Sequence, residues 1–406
     1  MQIRIPRQVE RVLGASLPIG VDIGASGVKL GQVRSAGRRL RLVRASRVPS
    51  APGVGCVSID DVPTAARALE SLVEPVAERL DAGGFHGKRL VLGVDDPILR
   101  VRSVRHPLMP DGELARALRL DGASRLGFAD DEACELGWIR AGEVTQGDDV
   151  RVEVMYVGAW REPLERLVFG LARRGYRAVG VEPAFVATAR CFGRRLRRAA
   201  DAAVTRVLVD VGAEHTGVTI TRGHRPVFHK LLDVGGSALT KAAAERMGLP
   251  IETVRDLRRR RMDLASAPAD RAEQEVDPRV DRAVYDAVRP LLGDLAHEVN
   301  LCVRHYSVTF RGSRPESVVV CGGDGYEPRL AETIEDAVRV TTRVGRPLDG
   351  IEHARGSESE RLCAFAGAIG LSLSAMEKAS GEWRGSRRRA ADDAASLNRP
   401  GGRAAA

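Results

Sequence analysis

One pattern occurs twice in this chain. Residues 18–48 read as strand, Asp, Gly turn, strand, turn, strand: PIGVDI, then GVKLGQVR, then LRLVRASRV. Residues 205–236, TRVLVDVGAEHTGVTITRGHRPVFHKLLDVGG, follow the same plan. A repeat at this scale implies a duplicated supersecondary unit. Each copy ends its first strand on an acid, Asp22 and Asp210, just before a turn of small residues. Helical periods alternate with strands through the rest of the chain, which predicts an α/β architecture.

After a Pro/Gly stretch, VPSAPGVG, the spacing predicts a helix over 61–80, with Val62, Ala66, Leu69, Val73, Val76 and Leu80 on one face. RLVLGVDD and LRVRSVRH read as strands, and residues 107–128 as a Pro-led helix. CELGWIR and residues 150–160 are strands, 161–174 a helix, YRAVGVEP a strand and 183–199 a helix. Helices are expected at 236–248, 250–261 and 276–310. A strand, ESVVVCGGDG (316–325), then runs into a third Gly turn. A helix from 327, a strand near TTRV and a helix over 359–374 close the globular part. Residues 376–406 carry few large apolar groups and are expected to be disordered.

Composition narrows the function classes. Aromatic residues make up 4% of the 406, too few for a base-stacking nucleic-acid binder, and no nucleic-acid recognition motif accompanies the net charge of +9. That charge suits anionic lipid or an acidic partner. Its Arg cluster at Arg384 and Arg387 to Arg389 lies in the tail, where a solvated segment is the plainer reading. The six Cys form no CxxC pair, so reduced thiols and a cytosolic compartment are expected. Residues 1–17 read as a short basic leader without the long apolar core of a signal peptide, and no run approaches the ~20 apolar residues of a spanning helix.

The repeated Asp–Gly turn suits one kind of chemistry. Glycine lets backbone N–H groups approach an anion closely. An Asp repels a phosphate unless a divalent cation or its waters stand between them. Two such hairpins facing each other would clamp a nucleotide's phosphates from both sides. The plain alternative is that each Asp only caps its turn.

DIGASGVK (22–29) resembles the first phosphate motif of the actin/Hsp70/sugar-kinase superfamily, DVGAEHT (210–216) its second, and VVVCGGDG (318–325) its adenosine motif. Within that superfamily the sequence is most similar to the PilM family of type IV pilus assembly proteins, over about residues 18–373. RHPLMPDGELARALRLDGASRLGF, VMYVGAWREPLERLVFGLARRGYRAVGVEPAFVATAR and RPVFHKLLDVGGSALTKAAAERMGLP carry the further likeness. The resemblance implies an α/β, actin-like (ribonuclease H-like, duplicated) ATPase fold of two lobes. The first lobe would span 18–200, with a partner-binding subdomain inserted at about 49–185, and the second 201–375.

It also implies site residues. Gly24, Ala25, Ser26 and Gly27 would offer backbone donors to the terminal phosphates of ATP, with Lys29 beside them or in solvent. Asp22 and Asp210 would hold Mg2+ through water. Gly212, Ala213, Glu214, His215 and Thr216 would form the opposing loop, His215 reading equally as a surface turn residue. Gly235 and Gly236 begin a helix whose N-terminus suits an anion, or serve only as a tight turn. Gly322, Gly323 and Asp324 would approach the adenosine, although Asp324 replaces the usual small residue and puts the purine pose in question. Arg258 would flank the base, but in ETVRDLRRRRM a solvated helix face is the better reading. Glu182 in GVEP would position water or a hydroxyl, or cap a strand-to-helix turn. No other general base is evident, so the resemblance supports nucleotide binding, with weak ATPase activity an open question.

The implied partner is the N-terminal cytoplasmic tail of a PilN-like bitopic inner-membrane protein, alongside other pilus motor components, with the protein peripheral at the inner face of the membrane. ATP would close the lobes and shift the inserted subdomain. An FtsA-like division adaptor is disfavoured because the tail has one Trp and no apolar face. A sugar kinase would need a dedicated Asp base soon after the first Gly turn. A scaffold of the same fold without nucleotide is the remaining alternative.

Overall fold

The computed structural model describes residues 15–36, 39–49, 60–95, 98–129, 133–146, 149–196, 198–266, 276–310, 312–353 and 362–376. Most of the basic leader (1–14), Cys56 and nearly all of the tail (377–406) lie outside the described residues.

The first half runs β1 (Ala15–Ser16), β2 (Ile19–Gly24), β3 (Gly27–Ala36), β4 (Arg39–Pro49), α1 (Val62–Ser71), α2 (Val73–Asp81) and β5 (Arg89–Val94). It continues with β6 (Arg100–Pro107), α3 (Asp111–Arg125), β7 (Cys134–Gln146), β8 (Asp149–Trp160), α4 (Arg161–Arg173), β9 (Arg177–Pro183) and α5 (Ala184–Gly193). The second half runs β10 (Thr205–Val211), β11 (Thr216–Arg222), β12 (Arg225–Leu232), α6 (Gly236–Met247), α7 (Ile251–Ser266) and α8 (Pro278–Phe310). It ends with β13 (Ser317–Cys321), α9 (Leu330–Val338), β14 (Thr342–Val344), β15 (Ile351–Glu352) and α10 (Ala366–Leu373).

The sequence repeat is a repeat of topology. The first sheet contains the order β4-β3-β2-β5-β9 and the second sheet the order β12-β11-β10-β13-β14. In each, an antiparallel three-stranded meander is extended by two parallel strands. Register places Asp22 opposite Lys29 of β3 and Gly93 of β5, and Asp210 opposite Gly217 of β11 and Cys321 of β13. The two acids therefore hold equivalent positions in the two sheets.

Local chemistry explains the helix boundaries. The Asp61 carboxylate accepts the Thr64 N–H at 3.1 Å and caps α1. The single helix expected over 61–80 divides at Leu72, and Pro75, which has no N–H, sits in the first turn of α2 where none is needed. Leu69, Val76, Leu80, Leu164, Leu167 and Leu171 then cover one face of the first sheet, against Ile19, Val21, Leu30, Leu90 and Leu92. In the second lobe Leu292, Leu295 and Val299 of α8 share a core with Val207, Val209 and Val318. Cys134, Cys191, Cys302, Cys321 and Cys363 are all buried and none is in a disulfide; burial pushes the Cys191 thiol up to about 11.

Two expected boundaries change. Strands β5 and β9 belong to the first lobe's own sheet, and α1, α2 and α4 to its core. What stands apart is the three-stranded sheet β6-β8-β7 with α3, so the insertion runs from about 100 to 160 rather than from 49 to 185. The second lobe also does not run to 375. Strand β15 pairs with β4, and α10 packs on the first sheet, where Ile369 and Leu373 join Val33, Leu40 and Leu42.

Helices α5 and α10 form the layer between the sheets. Val91, Ala187 and Leu371 pack together on the first-lobe side, and Ala189, Leu208 and Val319 on the second. The crossing is close enough that a Cβ on Gly370 would be driven into the Ala187 carbonyl, and one on Gly20 into the Ala368 carbonyl. The hydroxyl of buried Ser372 in α10 accepts the Val33 N–H at 3.0 Å and donates to the Pro18 carbonyl at 2.8 Å, tying β3 to the residue before β2. No helix among the described residues is long and apolar enough to cross a membrane.

Candidate functional site

The ends of β2, β5 and β10 open on one cleft between the lobes, about 700 Å³ counting the solvent at its mouth. From the first lobe come Asp22, Gly24, Ala25, Ser26 and Lys29; from the second, Asp210, Gly212, Ala213, Glu214 and His215. The two repeated turns thus face a common space, as their sequence implied. Lys29 belongs to this space: a Cβ on Gly24 would lie 3.3 Å from its Nζ and 3.5 Å from Asp95 Oδ2. Asp22 is buried, which pushes its carboxyl up, while the Lys29 ammonium pulls it down. Gly367, at the start of α10, lies against that carboxylate, where a Cβ would come within 2.7 Å of Oδ2. The Thr188 hydroxyl of α5 donates to Asp210 Oδ2 at 3.4 Å across the cleft floor. Phe185 of α5 stacks on His229 of β12, centroids 4.0 Å apart, and both line the cleft.

Asp95 joins these residues without a glycine-turn mark in the sequence pattern. It follows directly on β5, so a third parallel strand delivers an acid to the same end of the sheet. The signal was present in RLVLGVDD, a strand ending on Asp like the other two, but no glycine turn follows it. Among the described residues no three acids, histidines or cysteines are close enough to hold a metal ion directly. Asp22 and Asp210 fit a hydrated divalent cation, whose charge would offset that of a phosphate; contact through water is the mode two carboxylates allow.

The second turn is braced from within. Gly212 N–H donates to the His215 carbonyl at 2.9 Å, and the Gly236 and Ser237 N–H groups donate to the Gly212 and Ala213 carbonyls at 2.9 and 2.7 Å. The helix N-terminus behind Gly235 thus spends these amides on the loop rather than offering them to an anion. Thr216 is buried and donates to the Val234 carbonyl at 2.6 Å, so its hydroxyl holds β11 in place. The Ser237 hydroxyl donates to Glu214 at 2.7 Å. His215 Nδ1 lies 3.5 Å from Asp233.

Two expectations are corrected. Glu182 does not line the cleft; it is 3% exposed and accepts both Arg190 nitrogens, at 2.7 and 3.0 Å. A carboxylate held in a bidentate pair is not poised to take a proton from water. Arg258 is not on a solvated helix face; it is 2% exposed. Its guanidinium donates to Asp324 at 2.9 Å, to Glu327 at 2.6 and 3.1 Å, to the Gly236 carbonyl at 2.7 Å and to Thr240 at 2.8 Å. Arg261 extends the network to Glu327 at 3.0 Å and to Asp281 of α8 at 2.7 Å. Gly322, with φ +93°, lies over Asp210, where a Cβ would sit 2.5 Å from Oδ1; Gly323 follows it, and the Asp324 N–H donates to the Val211 carbonyl at 3.0 Å. The third Gly turn is therefore tied to the second turn by a backbone hydrogen bond and to α7 by ion pairs, and Arg258 carries the network on to α6 through hydrogen bonds.

Among solved structures, the chain is similar to a PilM–PilN type IV pilus biogenesis complex, with TM-score 0.70 and 23% identity over 89% of this chain and 99% of that one. Weaker likenesses are to the ethanolamine utilization protein EutJ from Carboxydothermus hydrogenoformans (TM-score 0.47, 15% identity, 88% and 89% covered) and to an archaeal actin homologue in complex with ADP (TM-score 0.44, 15% identity, 89% and 100% covered). No curated protein matches. The 0.70 likeness and the duplicated sheets make the fold actin-like. The family model for type IV pilus assembly protein PilM matches residues 20–376, and the chain belongs to that family.

Proposed function

We propose that this protein is a cytoplasmic, actin-like component of the type IV pilus assembly machinery. It binds ATP with Mg2+ between its lobes and docks the N-terminal cytoplasmic tail of a PilN-like inner-membrane protein. Beyond family membership, the cleft supports this reading: equivalent acids from duplicated strands, Asp22 and Asp210, meet across one space with Lys29. A ligand touching both sides would favour one lobe spacing over others, which shifts populations by its differential contacts. The inserted sheet would follow, because Ile139, Met155 and Val157 pack on Phe185 and Val186 of α5, and Phe185 also lines the cleft.

The full chain is expected to co-purify with the cytoplasmic tail of such a partner, with an affinity that changes on adding ATP and magnesium. Phe185→Ala should retain tail binding and lose the nucleotide response. A tail that fails to bind with or without nucleotide would overturn the reading.

A second reading, a scaffold without nucleotide, has an observation in its favour. Asp324 lies against Gly236, where a Cβ would meet its carboxyl group, and is tied to Arg258 in the turn that the resemblance assigns to adenosine.

A further inference from the structure

Strands β3 and β4 carry an arginine cluster outside the cleft. Arg34 and Arg41 are directly opposite each other in the antiparallel register. Arg39 is two residues from Arg41, and Arg44 lies opposite Gln32, two residues from Arg34. Alternation therefore puts all four arginines on one face of the hairpin. Arg39, Arg41 and Arg44 are exposed; Arg34 is half-buried and its Nε has no hydrogen-bond partner.

Several arginines elsewhere face acids: Arg166 meets Glu70 and Glu162, Arg174 meets Glu74, Arg255 meets Glu252 and Arg259 meets Asp256. Among the described residues no ion pair involves Arg34, Arg39, Arg41 or Arg44. Like charges set directly opposite each other weaken strand pairing. Glu352 of β15 lies beside Arg41 in the parallel register without an ion pair to it, so the repulsion between Arg34 and Arg41 is left for an external anion to relieve.

We infer that this face of the β3–β4 hairpin is a docking surface for anionic phospholipid headgroups. Guanidinium groups bind phosphate oxygens through paired, fixed donors. Neither strand has an aromatic residue on which a nucleic-acid base could stack. The arginines spread over two adjacent strands, an array that suits a charged plane. Residues 1–14, which precede β1, carry Arg4, Arg7 and Arg11 against one acid, Glu10. Strand β1 itself pairs with β3 at Ser35 and Arg34. The inference rests on the membrane-partner reading only for which anionic surface the face meets.

The test is flotation of the full chain with phosphatidylcholine vesicles and with vesicles that also contain phosphatidylglycerol, compared with Arg39→Glu/Arg41→Glu. The expected result is binding to the anionic vesicles alone, weakened by salt and reduced about tenfold or more by the double variant. Thermal unfolding of the variant should stay close to wild type, because Arg41→Glu removes a repulsion with Arg34 and introduces one with Glu352. Flotation unchanged by the variant would overturn the inference and move lipid contact elsewhere in the chain. Wild type that ignores both vesicles but is held by polyglutamate or DNA through these arginines would overturn it too, assigning the face to an acidic macromolecule. Binding of the partner tail, measured on the same variant without vesicles, separates this outcome from failure of the function proposed above.

Discussion

Arg258→Met is expected to destabilise the fold by about 3–5 kcal/mol, the range for breaking one side of a buried ion pair. The Glu327 side chain is fully buried and accepts two bonds from Arg258. Removing that guanidinium leaves Glu327 with Arg261 and takes from Asp324 a partner at 2.9 Å. It also strips donors from the Gly236 carbonyl and Thr240. The double variant Arg258→Met/Glu327→Leu should recover much of the loss. Arg261 then keeps Asp281 at 2.7 Å, and the partly exposed Asp324 side chain can turn to water. Urea unfolding of wild type, single and double variants measures this directly. A single variant as stable as wild type would show that the network does not hold α6, α7 and the third Gly turn together.

Gly20→Ala is expected to cost about 3 kcal/mol, the upper end of the range for overpacking a core. The added methyl would be driven into the Ala368 carbonyl, and both partners are backbone: one is locked in β2 and the other in α10. Relaxation must push α10 off the sheet. Because Gly367 of the same helix lies against Asp22, the variant should lose nucleotide affinity as well as stability. Gly112→Ala on α3 is the contrast. A Cβ there meets nothing within 4 Å, so this change should be neutral or slightly stabilising. Equal melting temperatures for the two variants would contradict the close packing of α10.

The duplicated meander was legible because its signal is local: alternating apolar residues, an acid and a glycine turn recur in one order. Asp22 and Asp210 could be paired from that pattern alone, and the structure brings them to one cleft. Arg258 could not be read in this way. ETVRDLRRRRM looks like a solvated charge run because the acids that bury it, Asp324 and Glu327, lie 66 and 69 residues away. The limits of the insertion are hidden in the sequence for a related reason. Periodicity marks β5 and β9 as strands but does not say which sheet takes them. The return of β15 and α10 to the first lobe depends on a two-residue strand and a run of small residues, AGAIG, whose value is only that backbones can touch there. Asp95 carries no such mark, because no turn of small residues follows it.

The central claim is that a nucleotide binds between the two repeated turns. The direct measurement is titration of the full chain with a fluorescent ATP analogue and magnesium, beside Asp22→Ala and Asp210→Ala. Saturable binding by wild type is expected, with a loss of more than about tenfold, roughly 1.4 kcal/mol, in each variant. Absence of binding by well-folded wild type would contradict it, and would leave the duplicated hairpins as the frame of an adaptor that works without nucleotide.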